Sequence, residues 1–286
     1  MAITTIAVIG AGQMGRGIAH VAALGGYQVK LRDISDEILN KALAEIKKNM
    51  QKGVERGKLN TEDMEKALKR IYPTVDLEEA AREADLVIEA VPEDIKLKCE
   101  VFQSLDRICP SHTVLATNTS SLSITEISAA TQRPDKCIGM HFFIPPHIMK
   151  LIEIIRGLET SEETTRIAEE VGRQMGKETV RINEAPGFAT TRINALIGNE
   201  AFYMLMEGVG TPEDIDKAIK LGLNHPMGPF EMVDLVGLDT RLKILEYLHA
   251  TLGEKFRPCP LHIKYVKAGR LGRKVGKGVY DYTCKE

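Results

Sequence analysis

Two residues sit where acid–base chemistry would need them. His141 closes an apolar run, Gly-Met-His141-Phe-Phe, and Glu153 lies inside the next, Leu-Ile-Glu153-Ile-Ile. A carboxylate among aliphatic side chains is costly to bury without a partner. An imidazole in reach would satisfy it and gain basicity in return. Both runs read as strands of one αβ unit, so contact between them is an expectation of the fold. Paired in this way, the histidine could take the proton of a substrate hydroxyl. Taken singly, each has a plainer reading, as a core histidine and an edge-strand glutamate.

A second constellation binds rather than reacts. Gly10-Ala-Gly12-Gln13-Met14-Gly15 follows an apolar run and opens a helical one, and Asp33 stands 18 residues after Gly15 at the end of the next strand. Out of context a GxGxxG string means little, but this setting is the full dinucleotide fingerprint. Gly10 permits the tight turn, Gly12 admits the pyrophosphate to the backbone, and Gly15 lets helix and strand pack closely. The helix N-terminus favours the negative charge. Asp33 suits the ribose hydroxyls of NAD and repels the 2′-phosphate of NADP, a preference that neighbouring Arg32 could blunt.

The elements that must hold these residues alternate. Residues 5–9, 29–34, 85–91, 113–116, 137–141, 151–155 and 179–182 read as strands, and 14–24, 97–108 and 161–175 as helices. Residues 36–56 and 61–70 read as a charged helical hairpin around Gly57. This predicts an α/β fold, a Rossmann-type doubly wound, mostly parallel sheet. Beyond Pro186–Gly187 the strand signal stops and residues 193–206, 212–221, 229–236, 240–252 and 261–267 are all helical. The expected division is an NAD-binding domain over 1–184, with the hairpin inserted at about 36–70, and an all-helical domain over 185–286.

The bulk numbers narrow the classes. With 43% hydrophobic and 27% charged residues and a net charge of -2, the chain is an ordinary globular one with no electrostatic case for nucleic acid or an anionic membrane. No apolar run is long enough for a membrane span, and the start reads as a strand rather than a leader. Cys99, Cys109, Cys137, Cys259 and Cys284 are scattered and form no CxxC pair. That pattern speaks against a disulfide framework or a metal site and for a soluble protein of the cytoplasm.

The chain resembles the short-chain L-3-hydroxyacyl-CoA dehydrogenases, and within them the bacterial 3-hydroxybutyryl-CoA branch, over nearly its whole length. The resemblance is carried by VIGAGQMGRGIAH, LVIEAVPED, NTSSLSITEI, RPDKCIGMHFF, MKLIEIIRG, APGFATTRI, NHPMGPFEMVDLVGLD and LGRKVGKGVYDY. It implies an NAD-dependent enzyme that interconverts 3-hydroxyacyl-CoA and 3-oxoacyl-CoA. It makes His141 the general base, Glu153 its orienting partner, and Ser120 a hydrogen-bonding group for the substrate's 3-oxygen that also helps place the nicotinamide. It implies cofactor contacts from Glu93, Lys98 and Lys274, the last through a mobile, flap-like segment over 269–278. It assigns the nucleotide end of CoA to Lys48, Lys52, Arg56 and Lys58, and implies a homodimer formed through the helical domain. His225, in a Pro-Gly turn, reads as a packing residue.

Three positions depart from the family pattern. Ile144 stands where HFFNP has asparagine, Thr191 where GFxxNR has asparagine, and Thr117 where a serine precedes NTSS. Thr191 can still donate one hydrogen bond to the substrate, with shorter reach than an amide. Losing one preorganised donor can cost on the order of 100-fold in rate. These changes leave two other readings open: the same chemistry on a bulkier acyl-CoA or another 3-hydroxy acid, and a dinucleotide-binding structural or sensory protein with little turnover.

Overall fold

The computed structural model describes residues 3–283; Cys284 lies outside them. Its backbone contacts divide into two compact units, 1–184 and 185–286.

The first unit is built on one sheet. In chain order it runs β1 (Thr5–Ile9), α1 (Gln13–Leu24), β2 (Gln28–Arg32), α2 (Asp36–Glu55), α3 (Thr61–Leu68), β3 (Ile71–Thr74), α4 (Leu77–Ala81), β4 (Leu86–Glu89), α5 (Ile95–Ile108) and β5 (Val114–Thr117). It continues with α6 (Ile124–Ser128), β6 (Cys137–Phe142), β7 (Leu151–Arg156), α7 (Glu162–Gln174) and β8 (Glu178–Asn183). The eight strands lie in the order β3-β2-β1-β4-β5-β6-β7-β8. All neighbours pair parallel except β6 and β7, which are antiparallel.

Period-two alternation makes both faces of this sheet apolar. In β1, Ile6 and Val8 enter one cluster with Ile18, Leu31 and Met140, while Ala7 and Ile9 enter another with Phe102, Leu105 and Leu115. The chain order reverses between β1 and β4, a switch point that leaves a crevice at the carboxyl ends of the strands. The hairpin helices are capped locally: Ser35 accepts from Ile38 N and Asn60 from Asp63 N. Leu39, Ala42, Ile46 and Met50 form the buried stripe of α2.

The strand β3 and the short helices α4 and α6 have no counterpart in the sequence expectation. Each spans four or five residues, too few for a period to declare itself, and β3 contains Pro73. Tertiary pairing with β2 makes Ile71–Thr74 a strand.

The second unit consists of α8 (Thr190–Glu207), α9 (Pro212–Gly222), α10 (Pro229–Val236), α11 (Leu238–Leu252) and α12 (Pro260–Lys267), with short 3₁₀ turns. Phe202, Phe230, Val233 and Leu238 form one core cluster and Ala195, Leu245, Leu248 and Phe256 another. Two buried aspartates organise it. Asp216 accepts from Phe230 N, Glu231 N and the Tyr280 hydroxyl at 2.8–3.0 Å. Asp234 accepts from Val279 N, Tyr280 N and the Tyr282 hydroxyl over the same range, 2.8–3.0 Å.

The segment over 269–278, expected as a flap, has internal hydrogen bonds in this unit. Arg270 donates to Gly278 O (2.6 Å) and Val279 O (2.9 Å), and Gly272 bridges Lys277. The segment is a folded turn: the Arg270 guanidinium takes up Gly278 O, and the Asp234 carboxylate holds the next two residues, Val279 and Tyr280.

Candidate active site

The residues expected to do acid–base chemistry meet across an antiparallel ladder. His141 of β6 pairs in register with Glu153 of β7. Their neighbours Met140, Phe142, Ile152 and Ile154 all enter one core cluster, so the alternation turns His141 and Glu153 to the opposite face together. There His141 Nδ1 donates to Glu153 Oε2 at 2.8 Å. Glu153 is fully buried and the His141 side chain is 7% exposed. A carboxylate on Nδ1 fixes the tautomer and leaves the basic lone pair on Nε2.

The glycine turn sits at the end of β1, two strands away from β5 in the sheet. A Cβ at Gly15 would lie 1.6 Å from Gly10 O, and one at Gly10, with φ +104°, would lie 2.6 Å from Ala90 O. Neither position tolerates a side chain. Gly12 is different: a Cβ there would meet nothing within 4 Å, so the backbone faces open space at the head of α1. Gly12 is also the N-cap and offers no side chain, which leaves the first-turn N–H groups around Gln13 and Met14 for an anion. Asp33 Oδ2 accepts from Ala11 N at 2.6 Å and Oδ1 from Ile34 N at 2.7 Å. Turn and carboxylate are thereby locked to each other. This cradle fits a dinucleotide pyrophosphate with its ribose on Asp33.

Between these two features lies a network of polar side chains. Glu93 Oε1 accepts from the Thr119 hydroxyl (2.6 Å), Ser120 N (2.9 Å), the Ser120 hydroxyl (3.2 Å) and the Ser121 hydroxyl (3.3 Å). The loop carrying Ser120 is tied to the histidine strand as well, since Asn118 Oδ1 accepts from Phe142 N at 2.9 Å. The turn after β1, the loops after β4 and β5, and His141 near the end of β6 thus share the carboxyl edge of the parallel strands.

Lys98 is placed beneath the Glu93 network. Its side chain is 1% exposed. It donates to Glu89 Oε1 at 2.7 Å and to Val91 O at 3.3 Å, and lies 3.6 Å from Glu93 Oε2. The reason is its position on α5, one turn after the Asp94 N-cap, on the stripe that packs with Phe102 and Leu105. Burial pushes the Glu89 carboxyl above the ordinary range, with Lys98 opposing that shift. Glu89 and Asn118 are absent from the residues expected at the site, and Thr117 enters the expectation only as a departure from the family pattern. Glu89 nevertheless carries the same signal as Glu153, a carboxylate inside an aliphatic run.

The remaining expected residues are each described within their own unit. Lys52 and Lys58 are exposed near the tip of the hairpin, and Lys48 is 3.6 Å from Glu45. Thr191 is buried in the first turn of α8. Lys274 donates to both oxygens of Asp239, at 2.6 and 2.7 Å, within the helical unit.

A doubly wound sheet with this turn and this acid at its switch point is the frame of a nicotinamide-dependent oxidoreductase. Residues 5–185 match the 3-hydroxyacyl-CoA dehydrogenase NAD binding domain, and residues 187–282 match the 3-hydroxyacyl-CoA dehydrogenase C-terminal domain. The chain is 51% identical over 286 residues to the "Probable 3-hydroxybutyryl-CoA dehydrogenase" of Bacillus subtilis (strain 168), covering 100% of this chain and 99% of that one. It is 45% identical to the 3-hydroxybutyryl-CoA dehydrogenase of Bradyrhizobium diazoefficiens, covering 98% and 96% of the two chains. Among solved structures, (S)-3-hydroxybutyryl-CoA dehydrogenase from Ralstonia eutropha superposes with a TM-score of 0.94 at 41% identity, covering 99% of this chain and 100% of that one. The chain belongs to the 3-hydroxyacyl-CoA dehydrogenase family and is an NAD-dependent enzyme.

Proposed function

We propose that the enzyme interconverts 3-hydroxybutyryl-CoA and acetoacetyl-CoA, with His141 as acid–base catalyst. The observation that carries this reading is the 2.8 Å bond from His141 Nδ1 to the buried Glu153. In the oxidative direction Nε2 takes the hydroxyl proton, and the adjacent carboxylate stabilises the imidazolium so formed. In the reductive direction the same Nε2–H returns the proton to the carbonyl oxygen. Bound NAD supplies the acceptor for the hydride that leaves the same carbon. Ser120 donates a hydrogen bond to the substrate's 3-oxygen, for which its 3.2 Å bond to Glu93 is readily exchanged. Gly10, Gly12, Gln13, Met14 and Gly15 hold the pyrophosphate, Asp33 the ribose, and Glu93 the loop beside the nicotinamide.

The CoA thioester is read onto the exposed Lys52 and Lys58 as phosphate contacts, with Thr191 as a substrate donor and Lys274 as a cofactor contact from the helical unit. Pairing into a homodimer is supported by the apolar side chains that the helical unit exposes, among them Ile193, Val209, Leu221 and Leu223. No helix of the described residues is long and apolar enough to cross a membrane. Cys99, Cys109, Cys137 and Cys259 are free thiols. Burial pushes Cys109 and Cys137 up to about 12, which keeps them protonated and unreactive. A reducing cytoplasm suits such thiols.

The test is consumption of NADH by purified protein on acetoacetyl-CoA. The wild type is expected to turn over, and His141→Ala to lose about 100-fold to 10,000-fold in kcat. A protein that only sensed the dinucleotide would gain melting temperature from NADH while leaving the thioester untouched. Equal rates for wild type and His141→Ala would remove the histidine from the chemistry.

A further inference from the structure

The proposed chemistry makes no use of Glu89, yet that residue accepts three hydrogen bonds beneath the site. Its side chain is fully buried at the end of β4. Oε1 accepts from Val91 N and Lys98 Nζ, each at 2.7 Å, and Oε2 accepts from the Thr117 hydroxyl at 2.7 Å. Each donor belongs to a different piece of chain: the loop after β4, the helix α5 and the end of β5. From two of them the connections run outward to the surface. Lys98 reaches Glu93 Oε2 at 3.6 Å, and Glu93 gathers residues 119–121 on its other oxygen. The Thr117 oxygen that donates to Glu89 also accepts from Thr119 N at 3.2 Å. Both routes end on the loop that carries Ser120.

A buried lysine–glutamate pair adds little to stability compared with apolar groups of the same volume. Stability alone therefore gives no account of a carboxylate at this position. A low-dielectric setting does, however, make a fully satisfied network stiff, and misplacing a reacting group by about 1 Å costs about 100-fold in rate. We propose that Glu89 is a positioning residue: through Lys98 and Thr117 it fixes the Glu93 carboxylate and the 117–121 loop, and so sets where Ser120 meets the substrate's 3-oxygen. Its effect is exerted through Ser120 and Glu93 rather than by contact with substrate. The inference rests on the role given to Ser120 in the dehydrogenase reading.

The experiment compares three variants with the wild type in steady-state reduction of acetoacetyl-CoA, with melting temperature measured on each. Thr117→Val removes one strut and leaves the ion pair whole. It is expected to lower kcat about 10-fold with a smaller change in KM, and Thr117→Ser to restore it. The double variant Glu89→Leu/Lys98→Met removes the hub while keeping the core apolar and uncharged. It is expected to melt no lower than the wild type yet to lose about 10-fold to 100-fold in kcat. A merely structural role predicts the reverse, activity that follows melting temperature and returns in the double variant. Wild-type kcat and KM in both Thr117→Val and the double variant would overturn the proposal. If the wild type itself consumed no 3-oxoacyl-CoA, the dehydrogenase reading would fail instead, and the His141→Ala control separates the two cases.

Discussion

Each unit of this protein buries a lysine or an arginine to 2% exposure or less, Lys98 and Arg241, and the two are handled in opposite ways. In the sheet unit, Lys98 is 1% exposed and sits in a closed set of oxygens from Glu89, Val91 and Glu93. In the helical unit, Arg241 of α11 is 2% exposed, and its Nε has no hydrogen-bond partner. No carboxylate makes an ion pair with it among the described residues, and burial alone lowers its pKa to about 10. Burial of a cation is thus no sign of function in itself. What distinguishes Lys98 is that its partners form a continuous path to residues at the crevice, whereas no such path is seen from Arg241 among the described residues.

Substitution should expose this contrast. The largest effect is expected from Lys98→Met, which leaves the Glu89 carboxylate buried without its counter-charge. Stability should fall by about 3–5 kcal/mol, read as a shift of the denaturant midpoint, with activity falling in parallel. A change below about 1 kcal/mol would mean that Glu89 is protonated in the fold and that the pair is not ionic.

Acid should load both units next. His20 of α1 and His262 of α12 are each depressed from 6.5 to about 4, chiefly by burial, with His147 and Lys177 adding to the shift at His20 and Arg241 at His262. A histidine whose folded pKa lies below its unfolded one is neutral in both states above pH 6.5, so its full contribution is present there. As pH falls from 6.5 toward 4 the unfolded chain takes up the proton first, and stability is lost. Each residue should cost about 2 kcal/mol by pH 5. His20→Gln is expected to flatten its share of the slope between pH 7 and 5 in thermal melts, and an unchanged slope would contradict the burial of that ring.

The smallest effect, and opposite in sign, is expected from Arg241→Met. Replacing an unpaired buried guanidinium by a hydrocarbon of similar length should stabilise the protein by about 1–2 kcal/mol, with kcat unchanged. A loss of activity without loss of stability would show that Arg241 serves the reaction, and the two cations would then be alike after all.

How far the sequence reveals all this depends on how local the cause is. The glycine turn and Asp33 are legible because the constraint is carried by a few adjacent backbones: Gly10 and Gly15 stand where any Cβ would collide. The His141–Glu153 contact is legible because a carboxylate in an aliphatic run demands a partner. Glu89 makes the same demand in Leu-Val-Ile-Glu89-Ala. Its partner, though, comes from a helix whose stripe looks like ordinary surface lysine spacing, so neither Lys98's burial nor the hub is visible without the fold. The turn over 269–278 is hidden for a related reason. The groups that tie down its end are Arg270 and, just beyond it, Asp234, neither of which looks special in the string. The short elements β3, α4 and α6 owe their existence to pairing and packing with distant neighbours.

The antiparallel step between β6 and β7 has one more consequence. Acid and base occupy opposed rungs of a single ladder, so their spacing is dictated by main-chain geometry and owes nothing to the length of the connection between them. The connection over 143–150 is pinned separately, Lys177 Nζ donating to Pro146 O and to Met149 O, while the ladder alone sets the His141–Glu153 spacing. A single insertion inside either strand would throw one partner to the far side of the sheet. In the proposed reaction the spacing of the His141–Glu153 pair is thereby a property of the sheet and not of the chain that joins the two strands.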